Sequence, residues 1–193
     1  MKSSKIRNIK IENLSDQWYK LDKVFFEYKT NEGKWQQQVR ESYDRGDGAA
    51  ILLINPETEK LILIEQFRIP SYLNGNESGM MIEVCAGLLD ENDPITCIKN
   101  EAYEETGVRV DNVNKVFELY STPGAVTEKI HYFIAEYNDK MKIGSGGGLE
   151  SESEEIEIHE LDFNKAWSMV LSGEIKDAKT IILLQHAKIN KLI

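Results

Sequence analysis

Apolar and polar residues alternate along three early stretches of the chain, Lys5–Leu14, Trp18–Thr30 and Lys34–Asp44. Alternation of period two puts one set of side chains on each face of a strand, so these stretches predict strands, the last two joined by a turn at Asn31-Glu32-Gly33. From Gly46 the pattern changes. Ala49–Asn55 and Lys60–Arg68 are almost continuously apolar, as in strands buried on both faces, and the polar turn Pro56–Glu59 separates them. Met80–Val84, Val113–Tyr120, His131–Tyr137 and Glu155–Leu161 also have strand patterns, while Asp162–Leu171 and Ala178–Lys191 have helical ones. Between them, Asp93-Pro94 announces a helix with Asp as its cap and Pro in its first turn, ending at Thr106-Gly107. Many strands with few helices predict an α+β fold built on a mixed sheet. The first three strands cannot bury a core alone, so they must pack on the main domain or on a second chain.

The 193 residues suffice for one well-cored domain, or one domain and a small extra sheet. With 41% hydrophobic and 29% charged residues the composition is that of a soluble globular protein. No stretch approaches the roughly 20 apolar residues of a membrane span, and MKSSKIRNIKIENL lacks the apolar core of a secretory signal. Cys85 and Cys97 lie among apolar neighbours outside any CxxC spacing, which predicts buried, reduced thiols and a cytoplasmic location. The formal charge of −10 argues against sequence-independent nucleic-acid binding. It would also repel an anionic substrate, so phosphate chemistry in this chain would call for a cation.

The candidate for holding one is the helix that Asp93 starts. Glu101 and Glu105, four residues apart, project from one face, with Glu104 beside them and Lys99 the only nearby cation. Three carboxylates within little more than a turn repel one another unless a cation neutralises them, and clustered carboxylate oxygens are what Mg²⁺ and Mn²⁺ prefer. A solvated acidic face is the plainer alternative. Here, however, the cluster follows a strand, a glycine turn (Ala86-Gly87-Leu88-Leu89) and a capped helix start. A second acidic run, Glu150–Glu155, follows the low-complexity stretch Gly144–Gly148, an arrangement suited to a flexible lid. His131 and His159 lie in strand patterns and His186 on the last helix, with no metal-ligand spacing between them.

The segment Asn100-Glu101-Ala102-Tyr103-Glu104-Glu105-Thr106-Gly107-Val108 resembles the second half of the Nudix box, R-E-U-x-E-E-x-G-U with U aliphatic, and Ala86-Gly87-Leu88-Leu89-Asp90-Glu91 resembles its first half. Two departures stand out. Asn100 replaces the box's Arg, and the spacing from Gly87 is one residue short, so that Asn92 or Asp93 falls where the first Glu belongs. The loss touches the support of the loop rather than the metal ligands. Tyr43–Gly46, Glu65-Gln66-Phe67-Arg68, Asn74–Gly79, Ser121-Thr122-Pro123-Gly124 through Thr127-Glu128, and Gly146–Gly148 resemble the bacterial GDP-mannose hydrolase branch of the superfamily, with ADP-ribose pyrophosphatases as close relatives.

The resemblance implies a Nudix fold, a mixed β-sheet sandwiched between α-helices, with residues 1–44 as an antiparallel β extension used in dimerisation and residues 45–193 as the hydrolase domain. It implies Mg²⁺ as cofactor, with Mn²⁺ as the alternative, held by Glu101, Glu105, the backbone carbonyl of Ala86, and an acid of the loop, Glu154 or its competitor Glu152. Glu105 and Glu154 are the catalytic candidates. Substrate contacts are implied for Ala86, Gly87 and Leu88 along the diphosphate, for Arg68 and Lys179, and for Glu105, Glu128, Ser153 and Glu154. Trp18, Val39, Arg40 and Glu41 match positions that receive the base across a homodimer. The plainer roles are a dimer-core aromatic for Trp18, a surface strand end for Arg68 and a solvated cation for Lys179. The implied reaction is hydrolysis of GDP-mannose to GMP and mannose 1-phosphate, with no nucleic-acid or membrane partner. Three alternatives stay open: ADP-ribose hydrolysis giving AMP and ribose 5-phosphate, a non-catalytic nucleotide sensor, and a structural metal-binding domain. The sensor would need a DNA-binding appendage and a degraded box, whereas EAYEETG keeps its three Glu residues.

Overall fold

A computed structural model describes residues 5–149 and 154–192. The chain divides into two compact units, Met1–Asp47 with Tyr120–Lys129, and Gly48–Leu119 with Ile130–Ile193. In the first unit β1 (Ile6–Asp16), β2 (Lys20–Lys29) and β3 (Trp35–Asp44) form an antiparallel meander. Its ladder slips between Arg7 and Lys10, where Asn8 takes a left-handed conformation (φ 55°). The end of β3 is tied to the 120–129 segment: Tyr43 N–H donates to Ala125 O at 2.8 Å, and Thr127 N–H donates to Tyr43 O at 3.0 Å. The meander leaves Ile9, Ile11, Trp18 and Val39 exposed.

The second unit is organised around β4 (Gly48–Asn55), every residue of which is buried. Alternate side chains explain why. Ala50, Leu52 and Ile54 enter one apolar cluster, together with α3 (Phe163–Ser172) and α4 (Ala178–Asn190). Ala49, Ile51 and Leu53 enter the other, on the face covered by α2 (Pro94–Thr106). A strand covered on both faces reads as a continuous apolar run. The sheet is mixed: β4 runs parallel to β9 (Lys129–Glu136) and antiparallel to β5 (Lys60–Phe67), with β8 (Asn114–Tyr120) and β10 (Glu157–Asp162) at the two ends of the order.

The sheet forks beside β4. β4 pairs with β5 only over Leu53–Asn55; its Gly48–Ile51 half pairs instead with β7 (Cys85–Leu88). The outer half of β5, Ile64–Phe67, takes β6 (Met80–Glu83). The link from β6 to β7 through Val84 sits at that fork. The segment expected as a glycine turn is thus strand β7, four residues being too few for periodicity to declare. The one-turn helix α1 (Ile69–Leu73) likewise gave no periodic signal.

α2 starts and stops where its signals lie. Asp93 Oδ1 accepts the Ile95 and Thr96 amides at 3.0 and 3.2 Å, and Gly107 ends the helix at φ 72°. Asp93, one of the two residues that fall where the box pattern has its first Glu, thus serves as the helix cap. The glycine run proves shape-determined rather than merely pliant. Gly146, Gly147 and Gly148 all have positive φ, the Gly147 and Gly148 amides donate to the Glu105 and Glu104 carbonyls at 2.9 and 3.2 Å, and a Cβ on Gly146 would collide with Ile158 and with Glu105 O. The run closes the C-terminus of α2.

Gly107 and Gly173 allow a controlled comparison, since both end helices at nearly the same φ (72° and 77°). A Cβ on Gly107 would strike the Gly144 carbonyl, whereas a Cβ on Gly173 meets nothing within 4 Å. Gly173→Ala should cost about 1 kcal/mol, the left-handed backbone penalty alone, and Gly107→Ala should cost roughly 2 kcal/mol or more. Urea midpoints of the two variants check the difference.

Candidate active site

The fork brings the backbone of β7 against α2. Ala86 N–H donates to Glu105 Oε2 at 3.1 Å. The other oxygen, Oε1, is buried without a hydrogen bond, in a residue only 1% exposed. A buried acceptor without a partner is costly unless something else satisfies it. Beside it, the Glu101 carboxyl occupies the space a Cβ on Gly87 would need, so the residue there must lack one. Glu154 lies near enough for its charge to act on both Glu105 and Cys85. Its Oε2 accepts the Leu149 amide at 3.3 Å. Burial pushes the Glu105 carboxyl up to about 8; the Cys85 thiol and the Ala86 amide oppose this, while the charges of Glu101 and Glu154 add to it.

Ala86, Gly87, Glu101, Glu105 and Glu154 are thereby brought together in one unit. Glu104 gives its backbone to the glycine run. The side-chain donors are carboxylate oxygens, the hard-ligand chemistry of Mg²⁺ or Mn²⁺, and the orphaned Oε1 of Glu105 fits a cation. Among the described residues, Glu65, Glu157 and His159 bring one ligand atom each within 4.8 Å of the others, on the β5–β10 pair; there His159 Nε2 already meets Glu65 Oε2 at 3.0 Å. His131 is buried in β9 and His186 stacks edge-on with Phe117. Both cysteines are buried and free of disulfides.

Arg68, the predicted phosphate contact, and Lys179, a predicted substrate contact, meet at a residue outside the sequence-based expectations. Glu83, at the end of β6 and 3% exposed, accepts Arg68 Nε and Nη2 at 3.2 and 2.8 Å and Lys179 Nζ at 3.0 Å. Burial alone would raise its carboxyl, yet Lys179 and Arg68 hold it below the usual carboxylate range. A charged residue inside the apolar run Met80–Val84 was the available signal. Leu88, half-buried at the end of β7, accepts the Cys97 thiol at 3.2 Å.

Trp18, Val39, Arg40, Glu41 and Glu128 belong to the first unit. Trp18 is 84% exposed in the turn between β1 and β2. Val39, Arg40 and Glu41 lie on β3 opposite Phe25, Val24 and Lys23, and Arg40 donates to Val39 O at 2.7 Å. Glu128 is buried and pairs with Arg45 Nε at 3.3 Å. Ser153 and Glu152 lie outside the described residues.

Residues 44–183 match the family model of the NUDIX domain, and residues 5–43 match that of the GDP-mannose pyrophosphatase NudK N-terminal domain. The chain is 54% identical over 188 residues to a GDP-mannose pyrophosphatase of Yersinia pestis (strain Pestoides F), covering 97% of this chain and 94% of that protein. A namesake from Pectobacterium atrosepticum is 54% identical over 185 residues, covering 96% and 95%. One from Yersinia enterocolitica is 51% identical over 191 residues, covering 99% of each.

Burial of Glu105 has a measurable consequence in metal-free protein. Its folded carboxyl titrates near 8 rather than 4.5. Stability from this group is therefore full below about pH 4.5 and is lost as pH rises toward 8. In EDTA, the wild-type unfolding free energy from urea titrations should fall between pH 5 and 8.5 relative to that of Glu105→Gln, by roughly 2–4 kcal/mol. Mg²⁺ should reverse the order at pH 8.5, because a ligand cation takes the place of the proton. Parallel pH profiles for the two proteins would contradict the assignment.

Proposed function

The chain belongs to the NUDIX family, and on that premise we propose that it is a Mg²⁺-dependent hydrolase that splits GDP-mannose into GMP and mannose 1-phosphate. The observation that carries the choice of substrate is the 54% identity, across 97% of the chain, to proteins named GDP-mannose pyrophosphatase. The buried Glu105 beside Glu101 and the Ala86 backbone supports the reaction type.

In this reading Glu101, Glu105, Glu154 and the Ala86 carbonyl hold the metal. Bound Mg²⁺ supplies neutralisation of the diphosphate and a lowered pKa for a coordinated water. The protein's own part is positioning and charge, since phosphoryl transfer asks little covalent chemistry of it. Gly87 and Leu88 let the backbone approach the diphosphate, and Arg68 and Lys179 bring donors to its oxygens. Glu154, with Glu152 as competitor, accepts the proton of the attacking water. The water oxygen bonds to one phosphorus as the bridging oxygen departs with the other. Ser153 and Glu128 complete the substrate contacts, and Trp18, Val39, Arg40 and Glu41 receive the base across a homodimer. The exposed apolar residues of the three-stranded sheet support that assembly, with residues 1–44 as the dimerisation region and 45–193 as the hydrolase domain. Among the described residues no helix is long and apolar enough to cross a membrane. The two free buried thiols support a cytoplasmic location.

A substrate panel of GDP-mannose, GDP-glucose, ADP-ribose, ADP-mannose and dinucleoside polyphosphates, with products identified by mass, should return the highest kcat/KM for GDP-mannose. A preference for ADP-ribose would overturn the choice of substrate while leaving the reaction type. Glu105→Gln should lower kcat by about 100-fold or more at saturating Mg²⁺. Of Glu154→Gln and Glu152→Gln, the former should cost more. Light scattering should give twice the 22.1 kDa chain mass, and a monomer at assay concentration would remove Trp18 from a partner's site.

A further inference from the structure

We infer that Glu83 is the positioning residue for the phosphate-binding cations, holding Arg68 and Lys179 on a single buried carboxylate so that both face the diphosphate together. The inference rests on the reading of those two cations as substrate contacts.

Both Glu83 oxygens are engaged. Oε1 accepts Arg68 Nε at 3.2 Å, while Oε2 accepts Arg68 Nη2 at 2.8 Å and Lys179 Nζ at 3.0 Å. The Arg68 contact is bidentate and therefore fixes the plane of the guanidinium as well as its distance. It uses the Nε–Nη2 edge. Arg68 has a side chain 41% exposed, and its remaining donors, Nη1 foremost, are left for an oxyanion. Its charge also senses Glu105, which puts it in electrostatic range of the acidic cluster.

Lys179 is fixed from a second side. Its Nζ donates to Asp177 Oδ1 at 2.9 Å, and Asp177 Oδ2 caps α4 by accepting the Thr180 amide and hydroxyl at 2.9 and 2.6 Å. The Thr180 hydroxyl in turn accepts the amide of Val84, the neighbour of Glu83, at 2.7 Å. The circuit from Glu83 through Lys179, Asp177 and Thr180 back to Val84 closes on itself and registers the start of α4 against the fork. A carboxylate buried to 3% exposure with three charge-assisted donors has no rotamer freedom to lose when substrate arrives. That is preorganisation of the kind that sets substrate binding.

Steady-state kinetics on the full-length protein with GDP-mannose test this. Glu83→Gln keeps the shape but turns one oxygen into a donor facing two cations. It should raise KM about 10-fold or more, with kcat within roughly 3-fold and the Mg²⁺ requirement unchanged. Glu83→Asp, which keeps the charge, should restore part of the loss. In an Arg68→Ala, Lys179→Ala background, Glu83→Gln should add little, because the groups it positions are gone. A folded Glu83→Gln with wild-type KM overturns the inference, as does a shifted Mg²⁺ requirement at unchanged KM, which would make Glu83 a metal ligand. If Glu83→Gln fails to fold, Glu83→Asp carries the test, and a wild-type KM there overturns it equally. Should Arg68→Ala and Lys179→Ala themselves leave KM unchanged, the reading of those cations fails, whatever Glu83 does.

Discussion

One bond joins the two halves of the acidic centre: the Ala86 amide donating to Glu105 Oε2 at 3.1 Å. Glu105 stands on the last turn of α2, and Ala86 on the short strand that fills the fork beside β4. Without that amide, a carboxyl 1% exposed would keep only the Cys85 thiol against the cost of burial, which would tilt it still further toward its neutral form. With it, one oxygen is satisfied and the other is left bare. The packing that achieves this lies elsewhere in the unit: Cys97, Ile98 and Ala102 anchor α2 against Ala49, Ile51 and Leu53 of β4. The apolar face of the helix thus sets the position of its acidic face to within a hydrogen bond.

The same fork organises charge of the opposite sign. Glu83 lies two residues before Cys85, at the end of the neighbouring strand, and gathers two cations instead of repelling a second acid. The net charge of −10 is thereby compatible with the anionic substrate proposed for this protein. In the proposed reading some of the acids hold a metal, while Glu83 binds the protein's own cations. Both arrangements depend on burial, since exposed pairs at these distances would contribute little after screening.

Much of this was legible in the chain. The buried strands β4 and β5 declared themselves as apolar runs, and α2 by its Asp93-Pro94 start and its Gly107 stop, because those signals are local. The register of Glu101 and Glu105 follows from helical spacing alone. What stayed hidden depends on long-range pairing. Four residues cannot announce a strand, so Ala86–Leu89 looks like a turn in the sequence, although Cys85–Leu88 pairs with Gly48–Ile51. Glu83 was hidden for the same reason. Its role comes from Arg68, 15 residues before it, and Lys179, 96 residues after it. Asn100, which breaks the box pattern, is exposed on α2 outside the carboxyl cluster.

The glycine run shows how such a long-range requirement can pass for low complexity. GSGGG looks like a plain connector, yet Gly146 to Gly148 each have a positive φ, and the surroundings of Gly146 and Gly148 leave no room for a Cβ. The reason lies in the end of α2. Two of its last carbonyls, those of Glu104 and Glu105, would lack partners within the helix, and the amides of Gly148 and Gly147 reach them at 3.2 and 2.9 Å. From there the chain passes to the acidic loop, and Ile156 N–H returns to Gly147 O at 3.2 Å. Glu154 is therefore delivered from the same turn that carries Glu105. The Glu105 end of α2 and the segment that carries Glu154 are thus tied to the same residue, Gly147, through its amide and its carbonyl.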